Sequence, residues 1–334
     1  MPSLPYTFKP SVTRARDVAL SGGKAEVRQL ATILCEDGPG DHPTIVLGGF
    51  VPDSTEQVFL LRRMLFQCGS IYYFNYSRRG FSLELLCAQL DDLVEELTVL
   101  RGKRPVIFTV SFGAGLLVEW LRRGQSMQLR VDIAGTIMVS PVACVGDVLN
   151  PAESKLTTLT ARALKPYFDP PGERNPLVVE RSQAIFSKMF NAGAQNRDAL
   201  LGLMNADEMG RFLEAVIASI KGLDFAGASE RVRALSQFVE PDEWSAPDFS
   251  VLTEVPTLIL YAENEGTVLM GNSPTRTALS RDLLRFFPQG KCLVVTGGDS
   301  PVQHASLIFH YHQFVPHVAH FYKALRAGRV SFAA

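Results

Sequence analysis

The sequence predicts an α/β fold with a mostly parallel sheet that is covered by helices on both faces. Three observations lead to this prediction. Short apolar runs of strand length recur along the chain and end in small or polar residues. Stretches of helical periodicity lie between them, and strands alternating with helices favour a parallel sheet. The alternation stops between about residues 150 and 249, where the pattern is helical in character.

Six apolar runs are predicted to be buried strands, and four periodic stretches to be helices. The strands are 44–47 (TIVL), 71–76 (IYYFNY), 105–110 (PVIFTV), 135–140 (GTIMVS), 257–261 (TLILY) and 291–296 (KCLVVT). The helices are 55–67, 82–101, 113–123 and 304–326. Residues 24–35 alternate loosely, which favours antiparallel edge strands.

Composition indicates a globular protein with a sizeable core. The chain has 334 residues, 46% hydrophobic and 20% charged, with a formal net charge of −1. A charge near zero argues against nucleic acid as a partner. No apolar run is long enough to span a membrane, and the N-terminus shows no secretory signal, so we expect a cytoplasmic protein. The cysteines show no pairing motif and are expected to be reduced: Cys35, Cys68, Cys87, Cys144 and Cys292.

The stretch 106–120, VIFTVSFGAGLLVEW, starts as a strand and becomes a helix with almost no room to turn. A sharp strand-to-helix turn needs small neighbours two residues before and after its centre. Around Ser111 these neighbours are Thr109 and Gly113. Such a turn exposes the Ser111 hydroxyl and aims the Phe112 N–H at whatever lies beside it. The alternative is that Ser111 only caps the helix that follows.

A second turn follows the strand 44–47 and reads LGGFVPDS. Its glycines allow the backbone to approach a ligand closely. The N–H of Phe50 is therefore a candidate second donor to an oxyanion, beside that of Phe112. An ordinary glycine turn after a strand is the alternative.

An acidic residue and a histidine follow later strands. The strand 257–261 leads into AENEGTV, where Glu265 is the preferred partner for a histidine and Glu263 the near alternative. Asp147, after the strand 135–140, is a more distant alternative. His304 lies in VVTGGDSPVQHASL and is predicted to open the last helix. It is the only histidine in a loop after a strand end and downstream of the acid.

The chain order Ser111, Glu265, His304, the turn TVSFG and the Gly-Gly-Phe turn together resemble the α/β-hydrolase family. The resemblance covers residues 44–150 and 251–326, and the loop YSRRGFS (76–82) is similar to the family's Arg-Gly loop. It implies an eight-stranded, mostly parallel sheet, a serine nucleophile and often a helical cap after the sixth strand. We therefore expect residues 1–149 and 250–334 to form the core and residues 150–249 to form a cap.

This chain departs from the family pattern at four points. Thr109 stands at the first glycine of the serine turn, and Gly48 where a histidine commonly precedes the oxyanion glycine. The acid is a glutamate where aspartate is commoner. A long loop, 299–303, separates Gly298 from His304.

The resemblance implies a serine hydrolase that cleaves a carboxylic ester or thioester through an acyl-enzyme. Apolar runs in the inserted region, such as PLVVERSQAIFSKMF and ALLGLMN, favour a small substrate with an apolar acyl part. The scheme requires no metal and no cofactor. The alternatives are amide hydrolysis, a catalytically inactive binding or scaffold protein of the same fold, and an acyltransferase or C–C hydrolase using the same triad.

Overall fold

A mostly parallel sheet forms the centre of the computed structural model. The structure describes residues 4–5, 14–23, 26–127, 131–149, 156–168, 175–192, 198, 200, 202–245 and 251–328. Its strands are β1 (Leu4–Pro5), β2 (Thr32–Glu36), β3 (Thr44–Leu47), β4 (Ile71–Asn75), β5 (Val106–Val110), β6 (Gly135–Val139), β7 (Thr257–Ala262) and β8 (Gly290–Val295). The strand order is β1-β2-β4-β3-β5-β6-β7-β8.

Only the edge at β2 is antiparallel. β2 pairs antiparallel with β4, and the two-residue β1 pairs antiparallel with β2. Every other neighbouring pair from β4 to β8 is parallel. The predicted α/β class and mostly parallel sheet are confirmed, and so is the antiparallel edge expected from residues 24–35. Each of the six predicted strands agrees with an observed one to within one residue at either end.

The helices lie on both faces of the sheet. They are α1 (Arg14–Ser21), α2 (Ser54–Gln57), α3 (Arg62–Cys68), α4 (Leu83–Glu95), α5 (Phe112–Ser126), α6 (Leu159–Phe168), α7 (Pro176–Ala192), α8 (Ala206–Lys221), α9 (Phe225–Leu235), α10 (Pro274–Phe286) and α11 (Tyr311–Arg326). Alternate strand residues face two separate cores, with Ile45 and Leu47 in one and Val46 in the other. Within the described residues, no helix is both long enough and apolar enough to cross a bilayer.

Two helix predictions differ from the structure, and not every helix was predicted. The helix predicted over 55–67 is broken into α2 and α3, and the break places Phe59 in a stack on Phe212, with ring centroids 4.7 Å apart. The helix predicted from His304 begins only at Tyr311, because Ala305 has a φ of 50°, which no α-helix accommodates. Helix α10 was not predicted, although Ser273 caps it and Pro274 occupies its first position.

The inserted region between β6 and β7 is helical, as predicted, and contains α6, α7, α8 and α9. Helix α6 packs on α7 and α9, and α7 packs on α8. The predicted domain limits at 149/150 and 249/250 involve residues outside the described ranges, as do residues 196, 197, 199 and 201 of the predicted helical run 196–205. The described residues of that run, 198, 200 and 202–205, lie in none of the α-helices. The division into core and cap therefore stays a prediction.

The parallel pairing brings the ends of several strands to one edge of the sheet. Leu47 of β3 pairs with Thr109 of β5, and Thr109 pairs with Met138 of β6. On β6, Val139 pairs with Leu260 of β7. The loops that follow β3, β5, β6 and β7 therefore leave the sheet side by side. This edge is where an open parallel sheet forms a cleft.

Candidate active site

Ser111 occupies a strained turn between β5 and α5. Its φ is 50° and its ψ is −116°, a backbone conformation that residues other than glycine rarely adopt. The turn is held by backbone hydrogen bonds, since Ser111 N–H donates to Val139 O at 2.9 Å and Val142 N–H donates to Ser111 O at 3.2 Å. A Cβ on Gly113 would lie 2.3 Å from Leu47 O, so only glycine fits two residues after the serine. Strain that the surroundings enforce is typical of functional sites.

The Ser111 side chain does not cap α5. It makes no hydrogen bond to an N–H of that helix, so the capping alternative is wrong. Its Oγ instead lies 2.9 Å from Nε2 of His304. The hydroxyl is thus aimed at an imidazole nitrogen rather than at the helix.

His304 links Ser111 to Glu265. The Nδ1 of His304 is hydrogen-bonded to Oε2 of Glu265, and the side chains of the two residues are 8% and 1% exposed. The other carboxylate oxygen, Oε1, accepts the Ala262 N–H at 2.7 Å. A carboxylate accepts only, so Nδ1 carries the proton and Nε2 is left to accept from the Ser111 hydroxyl. The sequence-predicted Ser111, His304 and Glu265 are therefore brought together in this order.

The two alternative acids do not contact His304. Glu263 accepts the N–H groups of Gly297 and Val302, at 2.7 and 2.8 Å, and so ties down the loop before His304. These hydrogen bonds lower the pKa of the Glu263 carboxyl. Asp147 is fully buried and accepts from Ser273 Oγ at 2.6 Å. Both acids hold loops in place.

His310 was predicted to lie inside the last helix, but it occupies the position just before α11 and makes no side-chain hydrogen bond to that helix. It is 2% exposed, and its Nδ1 lies 2.9 Å from Ser306 Oγ. Its Nε2 lies 3.2 Å from Ser300 O. The ring therefore fastens both ends of the loop that carries His304. Burial lowers the pKa of His310.

The turn after β3 lies beside Ser111 and is held by hydrogen bonds to side chains. Gly48 N–H donates to Ser54 Oγ at 3.1 Å, and Gly49 N–H donates to Gln57 Oε1 at 2.8 Å. A Cβ on Gly49 would lie 3.4 Å from the Cβ of Ser111. In the described part of the chain, the N–H of Phe50 has no hydrogen-bond acceptor.

Phe112 is the first residue of α5, so its N–H has no acceptor within that helix. The rings of Phe50 and Phe112 meet edge to face, with centroids 5.7 Å apart. Phe50 lines the same cavity as Ser111, and Phe112 follows Ser111 directly. Among the described residues, neither of the two predicted oxyanion donors has a hydrogen-bond acceptor. Their role in binding an oxyanion stays a prediction.

Ser140 belongs to the site and was missed by the sequence analysis, which ended a strand on it. Its φ is 48°, and its Oγ accepts the N–H of Ala305 at 3.0 Å. Among the described residues, only Ser111, Ser140 and Ala305 are non-glycine residues with positive φ. Backbone strain is thus concentrated around His304. The dipeptide Ser140-Pro141 after a strand was the one available signal for a turn.

A cavity of about 160 Å³ opens at Ser111 and His304. Its apolar walls come from both the sheet edge and the inserted helices. They include Phe50, Val110, Phe186, Met189, Phe190, Ile220, Ile308 and Phe309. Apart from His304, no ionisable side chain lines it within the described residues. Of the two apolar runs predicted to line a pocket, 176–190 supplies three of these residues, while the described residues of 199–205 (200 and 202–205) supply none.

Comparison with known proteins identifies the fold. No protein-family model matches the chain, and no curated protein matches it. Many solved structures do match. An esterase from Thermogutta terrifontis is 15% identical, with 88% of this chain and 94% of that chain covered and a TM-score of 0.56.

Two further matches are not esterases by name. MenH from S. aureus is 13% identical over 88% of this chain and 98% of its own, with a TM-score of 0.55. The putative non-heme bromoperoxidase BpoC from Mycobacterium tuberculosis H37Rv is 13% identical over 90% and 99%, with a TM-score of 0.56. At such identities the likeness concerns the fold alone.

Proposed function

We propose that this chain, whose fold is that of the α/β-hydrolases, is a serine hydrolase that cleaves a carboxylic ester or thioester. The observation that carries the proposal is the hydrogen-bonded series Ser111–His304–Glu265 at the mouth of an apolar cavity. A nucleophile within reach of a base, with the base oriented by a third group, is the arrangement that activates a serine.

The first half of the reaction forms an acyl-enzyme. His304 Nε2 accepts the proton of the Ser111 hydroxyl while Oγ attacks the substrate carbonyl. Glu265 holds the imidazole in the tautomer that keeps Nε2 free and stabilises the imidazolium. The N–H groups of Phe50 and Phe112 donate to the oxyanion, and losing one such donor costs about 3 kcal/mol in the transition state. The alcohol or thiol leaves with the proton from His304.

The second half of the reaction releases the acid. Water enters beside His304, gives a proton to Nε2 and attacks the acyl carbonyl on Ser111. The same two N–H groups stabilise the second oxyanion. Ser111 then recovers its proton from His304, and the carboxylic acid departs.

The cavity favours a small, uncharged acyl group. Its walls are mostly apolar and carry no lysine or arginine in the described residues. A second carboxylate or a phosphate on the acyl part would therefore find no cationic partner, only neutral polar groups such as Gln57 and Gln303. Its volume of about 160 Å³ is close to that of a cavity of roughly 150 Å³ that holds benzene. We therefore assign short-chain aliphatic and simple aromatic acyl groups to this cavity. Esters and thioesters of the same acid share it.

We further propose that residues 150–249 act as a cap on a core formed by 1–149 and 250–334. Phe186, Met189 and Phe190 of α7 and Ile220 of α8 close the cavity above Ser111.

The five cysteines are unpaired thiols, which supports a cytoplasmic location. A non-catalytic scaffold of this fold would have no need for the Ser111–His304 hydrogen bond, so that bond favours the enzyme.

Fluorophosphonate labelling tests the proposal. The purified protein is treated with the probe and the adduct is located by mass spectrometry. We expect an adduct on Ser111 that is lost in Ser111→Ala and His304→Ala and kept in His312→Ala, which changes an exposed histidine of α11. Hydrolysis of p-nitrophenyl esters and of matching thioesters should show the same dependence. Absence of an adduct on folded wild-type protein, together with absence of hydrolysis, would remove the proposed function.

A further inference from the structure

Arg231 is a buried arginine that binds the oxyanion turn from the inserted helices. It lies in α9 and is 2% exposed. Its Nη1 donates to the carbonyl oxygen of Phe50. Its Nη2 donates to Tyr76 O at 3.2 Å and to Ser77 O at 3.1 Å. One guanidinium thus joins the loops that follow β3 and β4.

Burying the positive charge of Arg231 costs free energy. Within the described part of the chain, no carboxylate forms an ion pair with it, and its Nε is buried without a hydrogen-bond partner. Burial lowers the pKa of Arg231 to about 10, which still leaves it protonated at neutral pH. Three carbonyl oxygens and the ring faces of Phe50 and Tyr76, with centroids 5.8 and 5.4 Å from Cζ, offset part of the cost. The charges of Asp53 and Asp224 act on it only from beyond ion-pair distance. Buried cations without an ion-paired carboxylate are rare, which points to a specific use.

The contact acts on the peptide next to the oxyanion donor. The N–H of Phe50 belongs to the peptide that joins Gly49 to Phe50. Gln57 fixes the peptide before it through Gly49 N–H, and Arg231 fixes the peptide after it through Phe50 O. With both neighbours held, the intervening peptide has little freedom to rotate. The Phe50 N–H is then kept in one orientation without itself being consumed by an internal hydrogen bond.

We propose that Arg231 is a positioning residue that holds the Phe50 turn in its donating orientation, so that the oxyanion hole depends on the docking of α9. The inference rests on the proposed function for its kinetic consequence. It assigns to the inserted helices a second role besides closing the cavity: they complete the machinery that stabilises the transition state. Preorganised donors are effective because they need not reorient during the reaction.

The test compares Arg231→Met and Arg231→Lys with the control Arg28→Met. Arg28 pairs with Glu230, the neighbour of Arg231 on α9, at 3.0 Å and donates to Arg79 O at 2.7 Å, but it does not touch Phe50. On p-nitrophenyl butyrate we expect kcat of Arg231→Met to fall by about 100-fold while KM changes by less than about threefold. Arg231→Lys keeps one charged donor and should lose less. Arg28→Met should keep kcat to within about twofold.

Hydrogen–deuterium exchange of the peptide spanning residues 48–53 gives a second readout that needs no turnover. We expect its protected amides, those of Gly48, Gly49 and Asp53, to exchange faster in Arg231→Met than in the wild type and in Arg28→Met. If Arg231→Met fails to fold, Arg231→Lys carries the comparison. If the wild type is inactive but amide exchange is faster in Arg231→Met, the proposed function is rejected. The conclusion that Arg231 restrains the Phe50 turn is then still supported. Unchanged exchange in folded variants, or an Arg231 variant with wild-type kcat, would overturn the inference.

Discussion

The backbone N–H of Ala305 donates to the hydroxyl of Ser140 over 3.0 Å, and both residues have positive φ. Ala305 follows His304, and Ser140 follows β6. The hydrogen bond therefore fixes the backbone beside the proposed base to the end of a central strand. Ser140 N–H in turn donates to Leu260 O at 2.7 Å, which connects this anchor to β7.

Replacing Ser140 with alanine should impair turnover more than stability. The change leaves the Ala305 N–H without its partner, and we expect the free energy of unfolding to fall by about 1 kcal/mol. A small displacement of His304 should lower kcat by roughly ten- to 100-fold. Ala305→Gly keeps the N–H and relieves the positive φ, so it should retain activity. Equal kcat in Ser140→Ala and the wild type would show that the anchor is dispensable.

Replacing Gly113 with alanine should disrupt the serine turn. The new Cβ would lie 2.3 Å from Leu47 O and 2.7 Å from Gly48 O, which are backbone atoms that cannot move aside alone. We expect a loss of about 1–3 kcal/mol in urea unfolding and a large loss of esterase activity. Gly210→Ala is the matched control, because a Cβ at this position in α8 meets nothing within 4 Å. It should stabilise the protein by about 0.5–1 kcal/mol.

Shortening Phe186 should change which acyl groups are preferred. Phe186 lines the cavity and stacks on Phe50 with ring centroids 5.7 Å apart. Phe186→Ala adds roughly the volume of a phenyl ring, so kcat/KM for octanoyl esters should rise relative to acetyl esters by about tenfold or more. Phe225→Ala, which changes a ring packed on Tyr167 away from the cavity, should leave this ratio unchanged. The same ratio in both variants would show that the cavity is not the acyl site.

Glu56 should make the protein less stable as the pH rises. Burial, with a smaller contribution from Asp53, raises the pKa of Glu56 to about 7, and its Oε2 is buried without a partner. In the unfolded chain the carboxyl has its ordinary pKa, so between about pH 4.5 and 7 the folded state binds more protons. Stability from this group is therefore full at low pH and is lost as the pH rises through the folded pKa.

Thermal or urea unfolding of Glu56→Gln across this range tests the sign. The free energy of unfolding of the variant should rise relative to that of the wild type as the pH increases. The difference should reach about 1–3 kcal/mol near pH 8 after allowance for partial exposure of Glu56. Glu214→Gln, an exposed position on α8, should stay within about 0.5 kcal/mol of the wild type. A difference that shrinks with rising pH would contradict the assignment.

The strands and the serine turn were readable from the sequence because their determinants are local. A strand buried on both faces shows as an unbroken apolar run, and the small residues of TVSFG report the crowding around Ser111. Thr109 departs from the family pattern, yet it is fully buried and its Oγ1 donates to Ile137 O at 3.3 Å. A hydroxyl satisfied inside the sheet is therefore compatible with this turn.

The conformation of the loop around His304 and the burial of Arg231 could not be predicted from the sequence, because the residues that determine them are distant in the chain. The loop around His304 is shaped by Glu263, which binds it before His304, and by Ser140, which binds it after His304; both come close only after the sheet has formed. Helical periodicity near its end therefore led to a helix start seven residues too early. Arg231 resembles any other arginine on a helix, and nothing nearby in the sequence marks it as buried.

The five unpaired cysteines are expected to react slowly with thiol reagents. Burial raises the pKa of all five thiols, so they remain protonated and poorly nucleophilic at neutral pH. A cysteine introduced by Ser111→Cys would instead lie beside the imidazole of His304, where a thiolate forms readily. A thiol-directed dye would then mark a single position in the native fold. The site could be followed by fluorescence without first removing any natural cysteine.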